Sequence, residues 1–315
     1  MIRRLLTVTS TTVALVLGLA AAPAQAVVVG ATGCNTNVST VLGSWDVDGD
    51  SALETVYDRH TGTFTEIGFV YLLDSGVCYG YEIPGASSYD WVLFSPPSDL
   101  DGIAGAELAV SWKTTPGTVL NQRKTWIVKH RTRTMSEVAS GGNLSWDWQY
   151  DLDSLAGNDL LFTYQTLYQS QPDYGLVKVY STQTGQLRSY SLQTQIIDPR
   201  FDQRAFGDTN GVAGTEAVFI QYPYISNSYY HGGFVKILDA RSGVVRSYST
   251  LPQASYWTSL WSLASYRYEV SQKNGTGGAE VTVYYQFYNN STGRSDYLRW
   301  VVDDTQQRAT LYYSW

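Results

Sequence analysis

The residues best suited to chemistry in this chain are acids at fixed spacing. Asp46, Asp48, Asp50 and Glu54 fall within one nine-residue stretch, and their oxygens are of the hard kind that holds a divalent cation. The stretch returns four times, as Asp99–Glu107, Asp151–Asp159, Asp208–Glu216 and Gln272–Glu280. All five keep Asp or Asn at the third position and an acid at the ninth. The fifth position separates them: it is Asp50 in the first stretch, and Ile103, Leu155, Val212 and Thr276 in the others. Acid-dense loops are what cation sites look like, and solvated turns look much the same.

Something regular must carry these loops. Their ninth-position acids lie 53, 52, 57 and 64 residues apart, a spacing that marks a repeat architecture of one supersecondary unit per repeat. The runs just after the loops, Glu107–Trp112, Asp159–Tyr164, Glu216–Tyr222 and Glu280–Tyr285, are near-continuously apolar. That pattern belongs to strands covered on both faces. Ser75-Gly76, Thr184-Gly185 and Ser242-Gly243 then interrupt β-branched or aromatic runs as hairpin signals. Each unit reads strand, loop, strand, hairpin. Five units of about 58 residues, each of four antiparallel strands, suit an all-β chain folded as a five-bladed β-propeller. A twisted solenoid is the alternative, although solenoids usually have shorter repeats and capping units.

Residues 1–26 read as a secretory signal: Arg3 and Arg4, an apolar run from Val13 to Ala22, and the small-x-small site Ala24-Gln25-Ala26. The run is too short to span a bilayer, and no later segment approaches about 20 uninterrupted apolar residues. A single domain, 27–315, is expected outside the cell, with residues 27–40 as an arm long enough to add an edge strand. Removing Arg3 and Arg4 from the 21 basic residues leaves 19 against 28 acidic ones. Such a surface is a poor match for nucleic acid or an anionic membrane. In an exported chain the two cysteines, Cys34 and Cys78, are expected to form a disulfide. It would close a loop of about 44 residues and stabilise by roughly 3–4 kcal/mol.

Most catalytic constellations are missing from the sequence. His60, His130 and His231 stand in separate units without zinc-site spacing, and no G-x-S-x-G elbow occurs. The obvious carboxylates belong to the repeated loops, and no catalytic residue can be assigned. The aromatic content is conspicuous, at 25 Tyr and 10 Trp. Most of these rings should fill wedges between packed sheets. Tyr229, Tyr230, Tyr256, Trp257 and Trp261 crowd outside the central strands and are candidates for stacking on a ligand. The alternating final strand Ala309–Trp315 is similar to the closing strand of outer-membrane barrels, but acids entering apolar strands at fixed spacing argue against a barrel.

The frame D-x-[DN]-G-x-x-x-x-[DE] followed by an apolar strand resembles the FG-GAP/VCBS repeats of secreted and integrin-type β-propellers, and the resemblance covers all five units. It implies a Ca²⁺ loop with side-chain oxygens at positions 1, 3, 5 and 9 and a carbonyl at position 7. Only the first loop keeps that set: Asp46, Asp48, Asp50, the Ala52 carbonyl and Glu54. A hydrogen-bonded turn is the other reading of this loop. In the remaining loops the apolar residue at position 5 is expected to plug the place of the ion, leaving the acids to accept backbone N–H groups. The expectation is a secreted, non-enzymatic recognition or adhesion propeller for a glycan or an extracellular protein. The alternative is a secreted glycoside hydrolase or lyase on the same propeller.

Overall fold

A computed structural model describes residues 24–25, 31–32, 40–58, 69–82, 91–94, 96–113, 122–142, 144–164, 176–192, 203–221, 224–226, 229–231, 233–250, 261–272 and 277–314. Every regular element among them is a β-strand. The expected secretory signal lies outside them except for β1 (Ala24–Gln25), which pairs with Met135 and Thr134. Of the arm, β2 (Ala31–Thr32) is described. Among the described residues no helix is long and apolar enough to cross a membrane.

The strands form five antiparallel meanders in chain order. The first holds β3 (Thr40–Trp45), β4 (Glu54–Asp58), β5 (Phe69–Asp74) and β6 (Val77–Glu82). On its edge β2 pairs with β6, with Ala31 opposite Cys78, so the arm adds a strand as expected. The second holds β7 (Trp91–Phe94), β8 (Leu108–Lys113), β9 (Gln122–Lys129) and β10 (Thr134–Gly142), with β1 on the edge. The third holds β11 (Leu144–Tyr150), β12 (Asp159–Tyr164), β13 (Leu176–Ser181) and β14 (Gln186–Ser191). The fourth begins with β15 (Gln203–Gly207) and β16 (Glu216–Gln221), continues past a small hairpin of β17 (Tyr224–Ser226) and β18 (Tyr229–His231), and ends with β19 (Phe234–Asp239) and β20 (Val244–Ser249). The fifth holds β21 (Trp261–Ser271), β22 (Glu280–Asn289), β23 (Ser295–Asp303) and β24 (Arg308–Ser314).

The continuous apolar runs have a direct cause. Successive strand residues point to opposite faces, and a second strand lying between two sheets is packed on both. On β16, Ala217 and Phe219 join the third sheet's Leu161 and Val179, whereas Val218 and Ile220 join the fifth sheet's Val281 and Val283. All six residues of β16 are buried. On β20 only one of six is, so the sheet runs from a dry second strand to a wet fourth. The same alternation joins the first sheet to the second through Val56, Leu72, Leu108 and Val110, and the second to the third through Ala109, Ile127, Leu160 and Phe162. The five sheets therefore stack face to face in sequence order. Bulges at Val41/Gly43, Trp146/Trp148 and Leu263/Ser265 lie on the first strands of three sheets, where an extra residue increases local twist.

Candidate functional site

The acidic loops join the first and second strands of their sheets, and in the first four the carboxylates are tied into the backbone. In the first loop Asp46 accepts from Gly49 N at 2.7 Å and Ser51 N at 3.1 Å, and Asp48 accepts from Asp50 N at 3.2 Å. Asp50 accepts from Ala52 N at 2.7 Å, and Glu54 accepts from Val47 N at 2.7 Å. The later loops repeat these bonds. First-position acids Asp99, Asp151 and Asp208 take the N–H three residues on, at 2.6, 2.7 and 2.6 Å. Ninth-position acids Glu107, Asp159 and Glu216 reach back to the second-position N–H at 2.8, 2.9 and 2.6 Å. The motif spacing thus satisfies a tight turn's N–H groups.

The loops also lock to one another. The eighth-position N–H of each later loop donates to the first-position carbonyl of the loop before it. These bonds are Ala106 to Asp46 at 2.8 Å, Asn158 to Asp99 at 3.0 Å, Thr215 to Asp151 at 2.9 Å and Ala279 to Asp208 at 2.5 Å. The seventh-position glycine makes that approach possible. A Cβ on Gly105 would sit 2.9 Å from Gly49 N, and one on Gly278 would sit 2.8 Å from Gly211 N. Both glycines hold left-handed backbone, at φ +110° and +84°. The first loop has Ala52 at that position and puts its left-handed residue at Ser51 instead, φ +74°. Its eighth residue, Leu53, is 68% exposed. Nothing among the described residues precedes this loop in the ladder, so it needs no glycine there.

Of the expected ligand set, the structure gathers Asp46, Asp48 and Asp50, which offer carboxylate oxygens within 4.8 Å of one another. Glu54 is buried and outside that group, and burial raises its pKa; Ala52 is exposed. Each carboxylate has about four lone-pair positions, so one or two backbone bonds leave oxygen capacity for a cation. These donors fit a hard divalent ion such as Ca²⁺. The expected apolar plug is not found. Ile103, Leu155 and Val212 are 50, 40 and 47% exposed. The loop is already closed by its own N–H bonds and leaves no hole to fill.

A second polar group, unforeseen in the sequence, pins the first sheet to the second. Tyr81 OH lies 2.6 Å from His130 Nδ1, and Arg133 reaches both His130 Nε2 and, at 2.7 Å, Asp74. The Arg133 guanidinium stacks 3.9 Å from the Tyr79 ring centre. Burial, reinforced by Arg133, pushes the His130 pKa down to about 4, while burial pushes Tyr81 up to about 12. Burial works to raise Asp74 as well, yet the Arg133 guanidinium holds it below the usual carboxylate range. Although Asp48, Asp74 and His130 also come within metal-ligand reach of one another, Arg133 already occupies the Asp74 and His130 atoms.

Tyr256 and Trp257, expected to stack on a ligand, lie outside the described residues, as does His60. Tyr229 and Tyr230 sit on β18 and Trp261 opens β21, with their side chains outside the described residues. Cys78 is buried on β6, and Cys34 lies outside the described residues. The aromatic face that is described was missed. On the fifth sheet's outward side a groove of about 690 Å³ is lined by Arg267, Tyr284, Gln286, Tyr297, Arg299 and Tyr312. Tyr297 and Arg299 at alternate positions of β23, and Tyr284 and Gln286 at alternate positions of β22, were its sequence signal.

No protein-family model matches the sequence, and no curated protein matches it either.

Proposed function

We propose that the chain is a secreted, non-enzymatic recognition or adhesion module with one Ca²⁺ site in its first loop, engaging a glycan or an extracellular protein. Its five sheets would be the blades of an FG-GAP/VCBS-like propeller, with the first and fifth blades approaching at the loop end and leaving a cleft at the other. The observation that carries the metal is Asp50, the one fifth-position acid in the five loops, which joins Asp46 and Asp48 within 4.8 Å; the acids of the second and third loops also group within that distance, but without a fifth-position oxygen. Support for the cleft comes from the outward face of β22, which grades from buried Thr282 beside the loop to exposed Tyr288. The loop carboxylates' engagement with backbone N–H groups favours a non-enzymatic role over a glycosidase pair.

Thermal melting with and without chelator tests the metal. A ligand bound to the native state alone stabilises by RT ln(1 + [L]/Kd), so Ca²⁺ should raise the melting temperature and chelation should lower it. Asp50→Leu, which copies Leu155, should remove that response while leaving the loop ladder intact. A wild-type melt indifferent to chelator and millimolar Ca²⁺ would falsify the site. The arm is proposed to be fastened by a Cys34–Cys78 disulfide, as the pairing of Ala31 with Cys78 supports. No thiol should then titrate in unfolded, unreduced protein, and titration of two would reject the bridge.

A further inference from the structure

Resting on that recognition reading, we propose that the outward face of the fifth sheet is the ligand site and that it takes an acidic polysaccharide, a chain of carboxylated sugars. Register brings four residues into one row across the sheet: Arg267 opposite Tyr284, Tyr284 opposite Arg299, and Arg299 opposite Tyr312. Within the row, the Arg267 guanidinium lies 4.4 Å from the Tyr284 ring centre and the Arg299 guanidinium 4.5 Å from that of Tyr312. The next row sets Ser265 opposite Gln286 and Gln286 opposite Tyr297. Its polar groups are oriented by one another. Ser265 OH donates to Gln286 Oε1 at 2.8 Å, and Gln286 Nε2 donates to Tyr297 OH at 3.2 Å. Tyr284 OH donates to Glu269 at 2.7 Å, which fixes the central ring.

Charge marks this face apart from several arginines elsewhere in the chain. Arg131, Arg133, Arg246 and Arg294 each have an aspartate within ion-pair distance. Arg267 and Arg299 have no such partner among the described residues, and both stack on tyrosine. A guanidinium lying flat on a ring keeps its edge donors for a carboxylate, which it grips bidentately. Two unpaired cations on a chain of net charge −7 form a local positive row in an acidic surround. The complement of that row is an anion, and the surround selects against dense polyanions such as nucleic acid.

The remaining chemistry favours a sugar chain over a peptide. The lining is mainly tyrosine, glutamine, serine and arginine, so its apolar surface consists largely of ring faces rather than of an aliphatic pocket that would anchor peptide side chains. Tyrosine rings offer flat faces to sugar C–H groups, while Gln286 and Ser265 suit hydroxyls. Arg267 and Arg299 stand two strands apart, roughly 10 Å, so one carboxylate cannot satisfy both and successive anions along a polymer can. With Tyr297 and Tyr312 at 48 and 44% exposure, the rings are accessible without rearrangement.

The test measures binding of the full chain to polygalacturonate and to its carboxyl-reduced form, in chelator so that loop-bound metal cannot bridge. Wild type should bind the carboxylated polymer, and carboxyl reduction should abolish binding. The variant Arg267→Gln/Arg299→Gln should lose about tenfold in affinity per guanidinium, with an unchanged melting temperature. Tyr312→Ala should weaken binding to both polymer and oligomers. Equal affinity in the double variant, or no affinity in wild type, overturns the proposal. So does polyglutamate held as tightly as polygalacturonate, which makes the ligand a peptide. A dimer in sedimentation that the double variant splits overturns it too, because a second copy then covers the face. Binding to other glycans that survives in the double variant rejects this site and leaves the recognition reading standing. A wild-type chain that binds no glycan or extracellular protein on an array removes both.

Discussion

Strand β22 faces two different worlds. Toward the fourth sheet it presents Val281, Val283, Tyr285 and Phe287, all buried in one apolar cluster. Away from it, between the same residues, stand Thr282, Tyr284, Gln286 and Tyr288. The matching strand β16 has no such division, because both of its faces are covered. The contrast shows that β16 is covered on both faces along its whole length, whereas the outward face of β22 is covered beside the loop, at Thr282, and open farther along, at Tyr288. The loops say the same thing at the other end of the chain. Loops two to five carry a glycine where they nest against the preceding loop, and the first, which has no described predecessor, carries Ala52. End units in a stacked repeat are recognisable by what their neighbours no longer demand.

The sharpest way to break this comparison is to cut into both faces of the fifth sheet. Phe287→Ala should cost about 3–5 kcal/mol in denaturant unfolding, because it leaves a cavity in a dry interface. Tyr312→Ala, on the outward side, should stay within about 0.5 kcal/mol. Comparable losses would mean that the outward face is a packed interface, and the distinction would collapse. A smaller effect sharpens the loop contrast. Gly105→Ala places a Cβ against Gly49 N and Asp48 C at a left-handed backbone position, and should cost about 1–3 kcal/mol. Ala52→Gly in the first loop should cost well under about 1 kcal/mol, chiefly through chain entropy.

The subtlest test concerns charge inside the loops. Burial, helped by the nearby Asp153 carboxylate, pushes Asp159 up to about 7 from an ordinary 3.8. The folded chain then holds a proton that the unfolded chain releases between those values. Stability attributable to Asp159 is therefore present below about pH 4 and is lost as pH rises through about 7. Asp159→Asn can still accept from Leu152 N and Asp153 N, and it should flatten the melting temperature across that window. An unchanged pH profile would show that Asp159 titrates normally.

The loops and second strands were legible because their cause is local. Acids at positions one and nine satisfy N–H groups of their own turn, and a strand packed on both faces has to be apolar throughout. The hairpins after β5, β13 and β19 followed from Ser75-Gly76, Thr184-Gly185 and Ser242-Gly243 for the same reason. What failed was anything decided by the neighbouring unit. Ile103, Leu155 and Val212 were expected as plugs and are exposed, because the turn closes without them. The need for Gly105 and Gly278 comes from backbone in another repeat, which nothing local to them announces. His130 and Arg133 carried no motif, since Tyr81 and Asp74 reach them from the preceding sheet. The outward tyrosines of the fifth sheet looked like core rings, and among the described residues no further sheet covers Tyr288, Tyr297 or Tyr312.

The ladder between loops runs in one direction, with each later unit supplying the N–H and each earlier unit the carbonyl. A chain made from its N-terminus therefore waits, unit by unit, with an acceptor open at its growing end. An unmatched carbonyl retains water more readily than an unmatched N–H, which is the rarer orphan in folded proteins. Half-synthesised chains thus present their more tolerable unpaired group. The polarity of four hydrogen bonds suits the order in which the protein comes into being.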